Sequence, residues 1–236
     1  MLKYKRISLK LSGEALGGNG ETLDFSKVEA VARQLQSLHA LGVEVGVTLG
    51  GGNIWRGRSS GDMDRNRADQ MGMLATVINS LALQDCLLKL QVPCRVMCAL
   101  DMPRVADSYT SRGAQAALQA GQVVIFAGGS GAPFFSTDTA AALKAAEIGA
   151  DALLLAKNVD AVYSADPHRD PTAVRYSRLS YSRVIAEDLQ ATDLTAITLC
   201  RQQHIPILAF AMADAGNIIR AVQGEPVGTL IDETGE

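Results

Sequence analysis

The fold class of this chain is decided by the stretch Val43-Glu44-Val45-Gly46-Val47-Thr48-Leu49-Gly50-Gly51-Gly52. Residues 43–49 are almost continuously apolar, as expected of a strand that is covered on both faces. Three glycines follow directly. Because ligands of parallel α/β sheets bind outside the carboxyl ends of the strands, this stretch predicts an internal parallel strand with a ligand-facing loop.

The same pattern recurs on both sides of that stretch. Strands are predicted at 5–11, 43–49, 94–100, 122–127, 152–156, 207–210 and 229–231. Helices are predicted at 24–41 with Asp24 as the cap, 67–90, 111–120, 137–148, 181–189, 194–203 and 215–223, the second with apolar residues Met71, Leu74, Ala75, Ile78 and Leu81 at helical spacing. This alternation predicts an α/β fold with a mainly parallel sheet covered on both faces. No linker divides residues 1–236, so we expect one domain in which 164–177 is a long loop.

The composition is that of an ordinary globular protein, because 47% of the 236 residues are apolar and 20% are charged. The formal net charge of −3 argues against a general electrostatic grip on a nucleic-acid polymer or an anionic membrane. No apolar run approaches the ~20 residues of a membrane span, and no signal peptide is recognisable. The four cysteines lack metal-binding or redox spacing and are predicted to be buried free thiols. We therefore expect a cytoplasmic protein.

Glycine-rich segments follow three of the predicted strands, at Gly13, at 50–52 and at 128–131. Glycines permit positive φ and let backbone N–H groups approach an anion closely. Three such loops on one edge predict a phosphate-binding cleft. Neither the dinucleotide-binding nor the P-loop fingerprint is present, which argues against an oxidoreductase and against a P-loop NTPase.

Two cations lie next to these loops. Lys10 ends the first strand just before Ser12 and Gly13; it is either a solvated strand-end lysine or a charge that stabilises a transferred phosphoryl group. Arg56 follows the glycine cluster by four residues and either lies on the surface or binds the same anion. Trp55 is the only tryptophan, and we interpret it as a partly buried packing residue.

Two acidic residues have open roles. Asp69 near the start of the long helix either compensates the helix dipole as a cap or contacts a ligand. Asp138 either caps the helix 137–148 or orients a lysine. Phe134 and Phe135 before it either plug the edge of the sheet or wall a pocket for a planar base. His39, His168 and His204 match no metal spacing, and we predict no metal site built from side chains.

Five motifs occur in one order: Lys10-Leu11-Ser12-Gly13-Glu14-Ala15-Leu16, Gly50-Gly51-Gly52-Asn53-x-x-Arg56-Gly57, Asp69-x-Met71-Gly72-Met73-Leu74-Ala75-Thr76, Pro133-Phe134-Phe135-Ser136-Thr137-Asp138 and Asp160-x-Val162-Tyr163-Ser164-Ala165-Asp166-Pro167. Over nearly the whole chain, they resemble the bacterial UMP kinases of the amino-acid kinase superfamily. The motifs at Asp69 and at the two phenylalanines separate this family from kinases of aspartate, glutamate or acetylglutamate.

This resemblance implies a single three-layer αβα sandwich, the amino-acid kinase fold, that assembles as a homohexamer. It implies transfer of the ATP γ-phosphoryl group to UMP, with Mg²⁺ bound with the ATP, giving UDP and ADP in pyrimidine nucleotide biosynthesis. UTP is expected to inhibit by occupying the UMP pocket. The segment 18–24 lacks the phenylalanine that many members carry, which predicts weak or no activation by GTP.

The resemblance also assigns site residues. The candidate catalytic residues are Lys10, Asp138 and Arg56, with Asp138 orienting the lysine. The ATP-side residues are Lys10, Leu11, Ser12, Gly13, Gly52, Arg56, Lys157, Asn158, Tyr163 and Asp166. The UMP-side residues are Gly51, Asp69 (which would bind the ribose), Ser130, Gly131, Ala132, Pro133, Phe134, Phe135, Ser136 and Thr137. Whether Lys157 or Asn158 makes the adenosine-side contact stays open.

Two other functions are weighed against this one. The first is another kinase of the superfamily that phosphorylates a carboxylate. The second is a non-enzymatic nucleotide-binding protein on the same fold. The joint presence of Lys10, Arg56 and Asp138 argues against the second, since a binding protein does not need all three.

Overall fold

The computed structural model describes residues 2–18, 20–56, 61–167, 169–212 and 216–235. The strands are β1 (Arg6–Leu11), β2 (Glu44–Leu49), β3 (Cys94–Cys98), β4 (Asp107–Ser108), β5 (Val123–Ala127), β6 (Ala152–Lys157), β7 (Val162–Tyr163), β8 (Arg175–Tyr176), β9 (Arg178–Ser180), β10 (Ile207–Ala211) and β11 (Thr229–Asp232). The helices are α1 (Phe25–Ala40), α2 (Arg65–Lys89), α3 (Ser111–Gln119), α4 (Thr137–Ile148), α5 (Tyr181–Ala186), α6 (Leu194–Gln202) and α7 (Asn217–Gln223), and a 3₁₀ turn spans Gly13–Ala15.

Nine strands form one sheet in the order β4-β3-β5-β2-β1-β6-β10-β11-β9. Every neighbouring pair is parallel except β10 with β11. The predicted α/β fold with a mainly parallel sheet is therefore confirmed. Strand β1 lies at the centre, so the loop that follows it is flanked by the loops that follow β2 and β6.

Helices cover both faces of the sheet and complete three layers. One hydrophobic core joins the sheet to α1, α2 and α7, and the other joins it to α3, α4, α5 and α6. Successive side chains of β1 point to opposite faces of the sheet. Ile7 and Leu9 are buried in the first core, whereas Ser8 faces α4 and donates a hydrogen bond to the Ala141 carbonyl at 3.1 Å. Lys10, two residues further on, shares the α4 side.

Local signals explain where α4 begins and ends. The Ser136 hydroxyl accepts hydrogen bonds from the backbone N–H groups of Asp138 and Thr139, at 3.0 and 3.1 Å. Gly149 terminates the helix with a φ of 65°. Because Ser136 is the cap, the capping role considered for Asp138 is wrong, and its carboxylate is available for other contacts.

Several segments differ from the predictions. The helix predicted at 181–189 ends at Ala186, since Asp188 adopts a positive φ of 48°. The predicted loop 164–177 contains β8, which pairs antiparallel with β7. Strands β4 and β9 are too short to give a periodic signal. The predicted start of the last helix, at Ala215, lies outside the described residues, as do Asn19, Gly57 and His168.

Of the five apolar positions predicted for α2, Ala75 is buried and Leu81 is half-buried, but the other three are exposed. Met71, Leu74 and Ile78 are 38%, 48% and 48% exposed. The helix instead buries Ala68, Met73, Ala75, Thr76, Val77, Asn79, Ser80, Leu83, Cys86 and Leu87. Among the described residues, α2 alone has the length and apolar composition of a membrane span, and half of its apolar window is buried inside the fold. That packing is typical of a core helix.

The four cysteines are free thiols, as predicted. Burial raises the pKa of each of them, in the case of Cys94 to about 11. Cys94 is only half-buried, which departs from the expectation that all four are fully enclosed.

Candidate active site

The loops after β1 and β2 pack tightly against each other at the carboxyl edge of the sheet. A Cβ atom at Gly13 would lie 2.7 Å from the Gly50 carbonyl oxygen and 2.9 Å from the Gly52 nitrogen, so no larger residue fits there. The buried side chain of Asn79 in α2 donates to the Gly50 carbonyl at 2.7 Å. These contacts hold the backbone of both loops beside Lys10.

A cluster of three charged side chains lies where β1, β6 and α4 converge. Lys10 Nζ is 2.7 Å from Asp138 Oδ1, and Lys157 Nζ is 3.7 Å from Asp138 Oδ2. The side chains of Lys10, Asp138 and Lys157 are only 14%, 15% and 23% exposed. Lys10 is therefore not the solvated strand-end residue of the alternative interpretation, and Asp138 orients two lysines rather than one.

Burial and charge act in opposite directions on this cluster. Burial alone would raise the pKa of Asp138, but the charges of Lys10 and Lys157 outweigh it and hold the pKa below its usual value. Burial lowers the pKa of Lys157, and the charge of Asp138 opposes that shift only in part. One carboxylate thus faces two lysine side chains, an arrangement that suits the binding of an anion.

A second ion pair bridges the loops after β1, β2 and β6. The Arg56 guanidinium pairs with the Glu14 carboxylate, and its Nε donates to the Gly52 carbonyl at 3.3 Å. Asn158 Nδ2 donates to the other Glu14 oxygen at 3.2 Å. Arg56 thus lies beside the glycine cluster, as predicted. No role was predicted for Glu14, although its position in the first motif, beside Ser12 and Gly13, was the available signal.

Lys157 and Asn158 are adjacent in sequence but contact different partners. Lys157 faces Asp138, whereas Asn158 faces Glu14. The choice between them for the adenosine side stays open, because both contacts are with protein groups.

A cleft opens on the other side of the glycine cluster, between α2 and the segment that follows β5. Its lining includes five residues of the UMP-side prediction besides Asp69, namely Gly51, Ser130, Ala132, Phe135 and Thr137, together with Trp55, Ala68, Gly72, Met73, Thr76 and Gly129, which were not predicted. Trp55 also donates from Nε1 to the Ala68 carbonyl at 2.9 Å, so its predicted packing role and a lining role coincide.

Asp69 does not cap α2. Asp64 does, by accepting a hydrogen bond from the Arg67 N–H at 3.1 Å. The Asp69 carboxylate instead accepts from Arg65 Nε at 2.8 Å and from the Phe134 N–H at 2.9 Å. It therefore links the first turn of α2 to the segment across the cleft, which helical spacing alone did not indicate.

The segment after β5 has an unusual backbone. Gly128, Gly129, Gly131 and even Phe134 have positive φ, with 72° at Phe134, where a side chain is strained. Thr76 Oγ1 accepts from the Gly128 N–H at 2.9 Å and fixes the start of the turn. Phe134 is 65% exposed, with its ring 5.8 Å from the Arg65 guanidinium. Of the two phenylalanines only Phe135 is among the residues that line the cleft.

Other predicted UMP-side residues support the cleft without lining it. Ser136 caps α4, and Gly131 and Pro133 lie within the turn. On the ATP side, Leu11 is fully buried in the core and Ser12 caps the 3₁₀ turn. Among the described residues, a Cβ at Gly52 would meet no atom closer than 4.0 Å, so the space above that glycine is open within this part of the chain.

The β7–β8 hairpin carries Tyr163 on its first strand and Asp166 in the loop that joins its two strands. The Asp160 carboxylate accepts from Tyr163 Oη at 2.7 Å and from Arg175 Nε at 2.8 Å. These two hydrogen bonds hold the pKa of Asp160 below its usual value. Asp166 pairs with Arg169 at 3.5 Å. The structure places these residues in one hairpin but brings neither Tyr163 nor Asp166 into contact with the Lys10 cluster among the described contacts.

A parallel α/β sheet with glycine loops and a shielded lysine–aspartate–lysine cluster at its central carboxyl edge defines a class of protein that is built to hold phosphate groups. More specifically, the chain belongs to the amino acid kinase family, whose model matches residues 5–210.

Three solved structures are similar over almost the whole chain. UMP kinase from Bacillus anthracis is 38% identical with a TM-score of 0.95, over 98% of this chain and 97% of that one. UMP kinase from Ureaplasma parvum is 35% identical with a TM-score of 0.92, over 98% and 100%. Uridylate kinase from Archaeoglobus fulgidus is 28% identical with a TM-score of 0.74, over 96% and 99%.

Proposed function

We propose that this protein is a UMP kinase, which transfers the γ-phosphoryl group of ATP to UMP and gives UDP and ADP in pyrimidine nucleotide biosynthesis. The observation that carries the proposal is the pair of lysines held by Asp138 at the end of the central strand, with a separate cleft on the other side of the glycine loops. The side of the glycine loops that holds the two lysines suits a phosphoryl donor, and the cleft on the other side suits a phosphoryl acceptor. The similarity to UMP kinases supports this assignment.

The proposed mechanism is positioning combined with charge neutralisation. The triphosphate of ATP and the monophosphate of UMP repel each other, so in-line attack requires fixed positive charge beside the transferred phosphoryl group. Lys10 and Lys157 would supply that charge, and the backbone N–H groups of the glycine loops would add donors. The UMP phosphate is already ionised at pH 7, so no general base is required.

The ATP would lie along the β1, β2 and β6 loops. Lys10, Ser12, Gly13 and Gly52 would face its phosphates, and Tyr163 and Asp166 its nucleoside. Arg56 would exchange part of its contact with Glu14 for a phosphate, because a guanidinium binds carboxylate and phosphate with the same planar geometry.

Mg²⁺ would bind with the ATP. No group of three His, Cys, Asp or Glu side chains that could hold a metal ion occurs within the described ranges. Asp138 at this site is engaged by two lysines. The residues therefore fit a metal held mainly by phosphate oxygens and water, which is usual for Mg²⁺ in kinases. Bound in this way, the ion would offset the charge of the phosphates.

The UMP would occupy the cleft between α2 and the segment 130–137. Asp69 would accept a hydrogen bond from the ribose, and Phe135 would pack against the pyrimidine. The related structures are UMP kinases. The carboxylate-kinase alternative is therefore not favoured. UTP would inhibit by entering the same cleft.

We further propose that the protein assembles as a homohexamer in the cytoplasm, without a nucleic-acid or membrane partner. The support for self-association comes from the apolar stripe of α2, formed by Met71, Leu74 and Ile78, which stays exposed in the single chain. Monomeric proteins rarely leave such a row of large apolar side chains in water, so another copy of the chain would cover it.

The decisive experiment measures ADP release from Mg·ATP with UMP, CMP, AMP, aspartate, glutamate and acetylglutamate as separate acceptors. We expect turnover with UMP far above that with any other acceptor, since a site built to hydrogen-bond one base leaves its groups unpaired with another. Preferential turnover of an amino-acid carboxylate would establish the first alternative. Binding of ATP and UMP without any ADP release would establish the second.

A further inference from the structure

The loop before α6 is fastened to the first turn of α4. Asp193 caps α6 by accepting from the Ala196 N–H at 2.8 Å. The same carboxylate accepts a hydrogen bond from Thr139 Oγ1 at 2.7 Å and another from the Ser136 hydroxyl. The Asp193 side chain thus joins the N-termini of two helices, and its hydrogen bonds fix the neighbouring residue 192 relative to α4.

Thr192, next to this cap, reaches the charged cluster directly. Its Oγ1 donates to Asp138 Oδ2 at 2.7 Å. Asp138 Oδ1 faces Lys10 at 2.7 Å, whereas Lys157 stands 3.7 Å from Oδ2. At Oδ2, the neutral threonine hydroxyl is therefore a closer donor than the Lys157 ammonium group. Nothing in the sequence motifs indicated Thr192, which is 54 residues from Asp138.

We propose that Thr192 is a positioning residue for phosphoryl transfer, which holds the Asp138 carboxylate at an angle that keeps Lys10 and Lys157 apart and directed at the phosphoryl group. This inference rests on the proposed function. Without the hydroxyl, the carboxylate is free to rotate and to draw the Lys157 ammonium closer. A lysine displaced in this way no longer contacts the phosphoryl group in the transition state. The UMP cleft on the other side of the glycine loops is unchanged.

The test compares Thr192→Val, which removes the hydroxyl at nearly constant volume, with Thr192→Ser, which keeps it. Thr198→Val is the matched control, because the Thr198 hydroxyl donates to the Leu194 carbonyl of its own helix, at 2.8 Å. We expect the kcat of Thr192→Val to fall by roughly tenfold or more with KM for UMP unchanged, since small misplacements of positioned groups cost about that much or more. Thr192→Ser is expected to restore kcat.

The outcomes separate this inference from the proposed function. Activity of the unmodified enzyme towards UMP tests the function alone. Equal kcat in Thr192→Val and Thr198→Val overturns the inference, and so does a loss that serine fails to rescue. A crystal structure of Thr192→Val gives a readout independent of turnover: a rotated Asp138 carboxylate with a shorter distance to Lys157 supports the inference, and an unmoved carboxylate contradicts it.

Discussion

At the scale of single residues, the charged cluster combines two opposing demands. Lys10 and Lys157 need Asp138 because two neighbouring ammonium groups repel each other in a shielded site. A phosphoryl group nevertheless needs their excess positive charge. One carboxylate for two ammonium groups satisfies both demands, and the lowered pKa of Asp138 keeps that carboxylate ionised.

Lys10→Ala is expected to lower kcat by at least ~10²-fold with little change in UMP affinity, because an interaction made mainly in the transition state appears in kcat. Lys10→Arg is expected to restore only part of the activity, since a planar fork replaces a compact charge. Steady-state kinetics on both variants makes the measurement. Lys89→Ala, at the exposed end of α2, is the control. Near-normal kcat in Lys10→Ala would show that Lys10 does not stabilise the transferred phosphoryl group, and Lys157 would then be the leading candidate for that role.

Lys157→Met is expected to raise the melting temperature at neutral pH while it lowers kcat. Burial lowers the pKa of Lys157 below the ordinary 10.5, which means that its charge is less favourable in the folded than in the unfolded chain. The sign follows: the charged lysine reduces stability below its folded pKa, and this loss disappears as the pH rises from there to about 10.5.

Thermal melts of wild type and Lys157→Met over this pH range check the prediction. The stabilisation by the substitution should be largest at neutral pH and should shrink as the pH rises from the folded pKa of Lys157 towards about 10.5. A melting temperature that falls at neutral pH would show that Asp138 needs both lysines for folding.

Asp69→Asn is expected to weaken UMP binding by roughly 1.5–3 kcal/mol and to leave ATP binding unchanged, because a charge-assisted hydrogen bond is lost only on the acceptor side. Titration calorimetry with each nucleotide measures this. Asp85→Asn removes a similar i,i+4 ion pair, with Lys89, from the same helix and serves as the control. An equal loss of affinity for both nucleotides would contradict the placement of UMP beside Asp69.

At the scale of elements, the site is made by loops whose backbones touch. Strands β1 and β2 are neighbours, so their loops meet, and glycine is required at Gly13 because a Cβ there would lie only 2.7 Å from the Gly50 carbonyl oxygen. Gly52 in the adjacent loop has no such neighbour. The two glycines therefore have different roles. Gly13 allows the two loops to pack together, whereas Gly52 borders open space.

A pair of alanine substitutions separates these purposes. Gly13→Ala is expected to destabilise the fold by about 1–3 kcal/mol, the usual effect of overpacking. Gly52→Ala is expected to keep the wild-type melting temperature but to lower activity, because its Cβ would enter the space proposed for the phosphates. Chemical denaturation and ADP release measure the two effects. Full activity in Gly52→Ala would contradict the placement of the ATP phosphates above Gly52.

At the scale of the whole molecule, the sheet order assembles the site. Strand β1 lies between β2 and β6, so residues 10, 52 and 157 come to one edge although they are distant in sequence. The same architecture leaves one face of α2 without cover, since the helix packs its other face on α1 and the sheet. Catalysis and assembly would thus use opposite faces of one helix.

Ile78→Asp is expected to dissociate the proposed hexamer, because a charge in the middle of the α2 stripe cannot be buried without a partner. Light scattering coupled to size-exclusion chromatography gives the mass. Leu41→Asp, at another exposed apolar residue beyond the end of α1, is the control. If Ile78→Asp leaves the mass of the assembly unchanged, the stripe is not the interface.

Local signals account for what was predicted well. The limits of α4 were predicted at both ends because Ser136 and Gly149 act on their immediate neighbours. The internal strands were recognised from their continuous apolar runs, and the family motifs named Lys10, Asp69 and Asp138. Short strands such as β4 and β9 carry too few residues for any period to appear.

The sequence by itself determined the α/β class, the glycine loops at the strand ends and the residues that carry charge, since each depends on residue types within a few positions. Only the tertiary structure decided that Asp138 serves two lysines, that Thr192 and Glu14 belong to the site, and that the apolar stripe of α2 faces outward. These contacts join residues far apart in the chain, for instance 54 positions between Thr192 and Asp138. Their partners are set by strand order and helix packing, which no local pattern encodes.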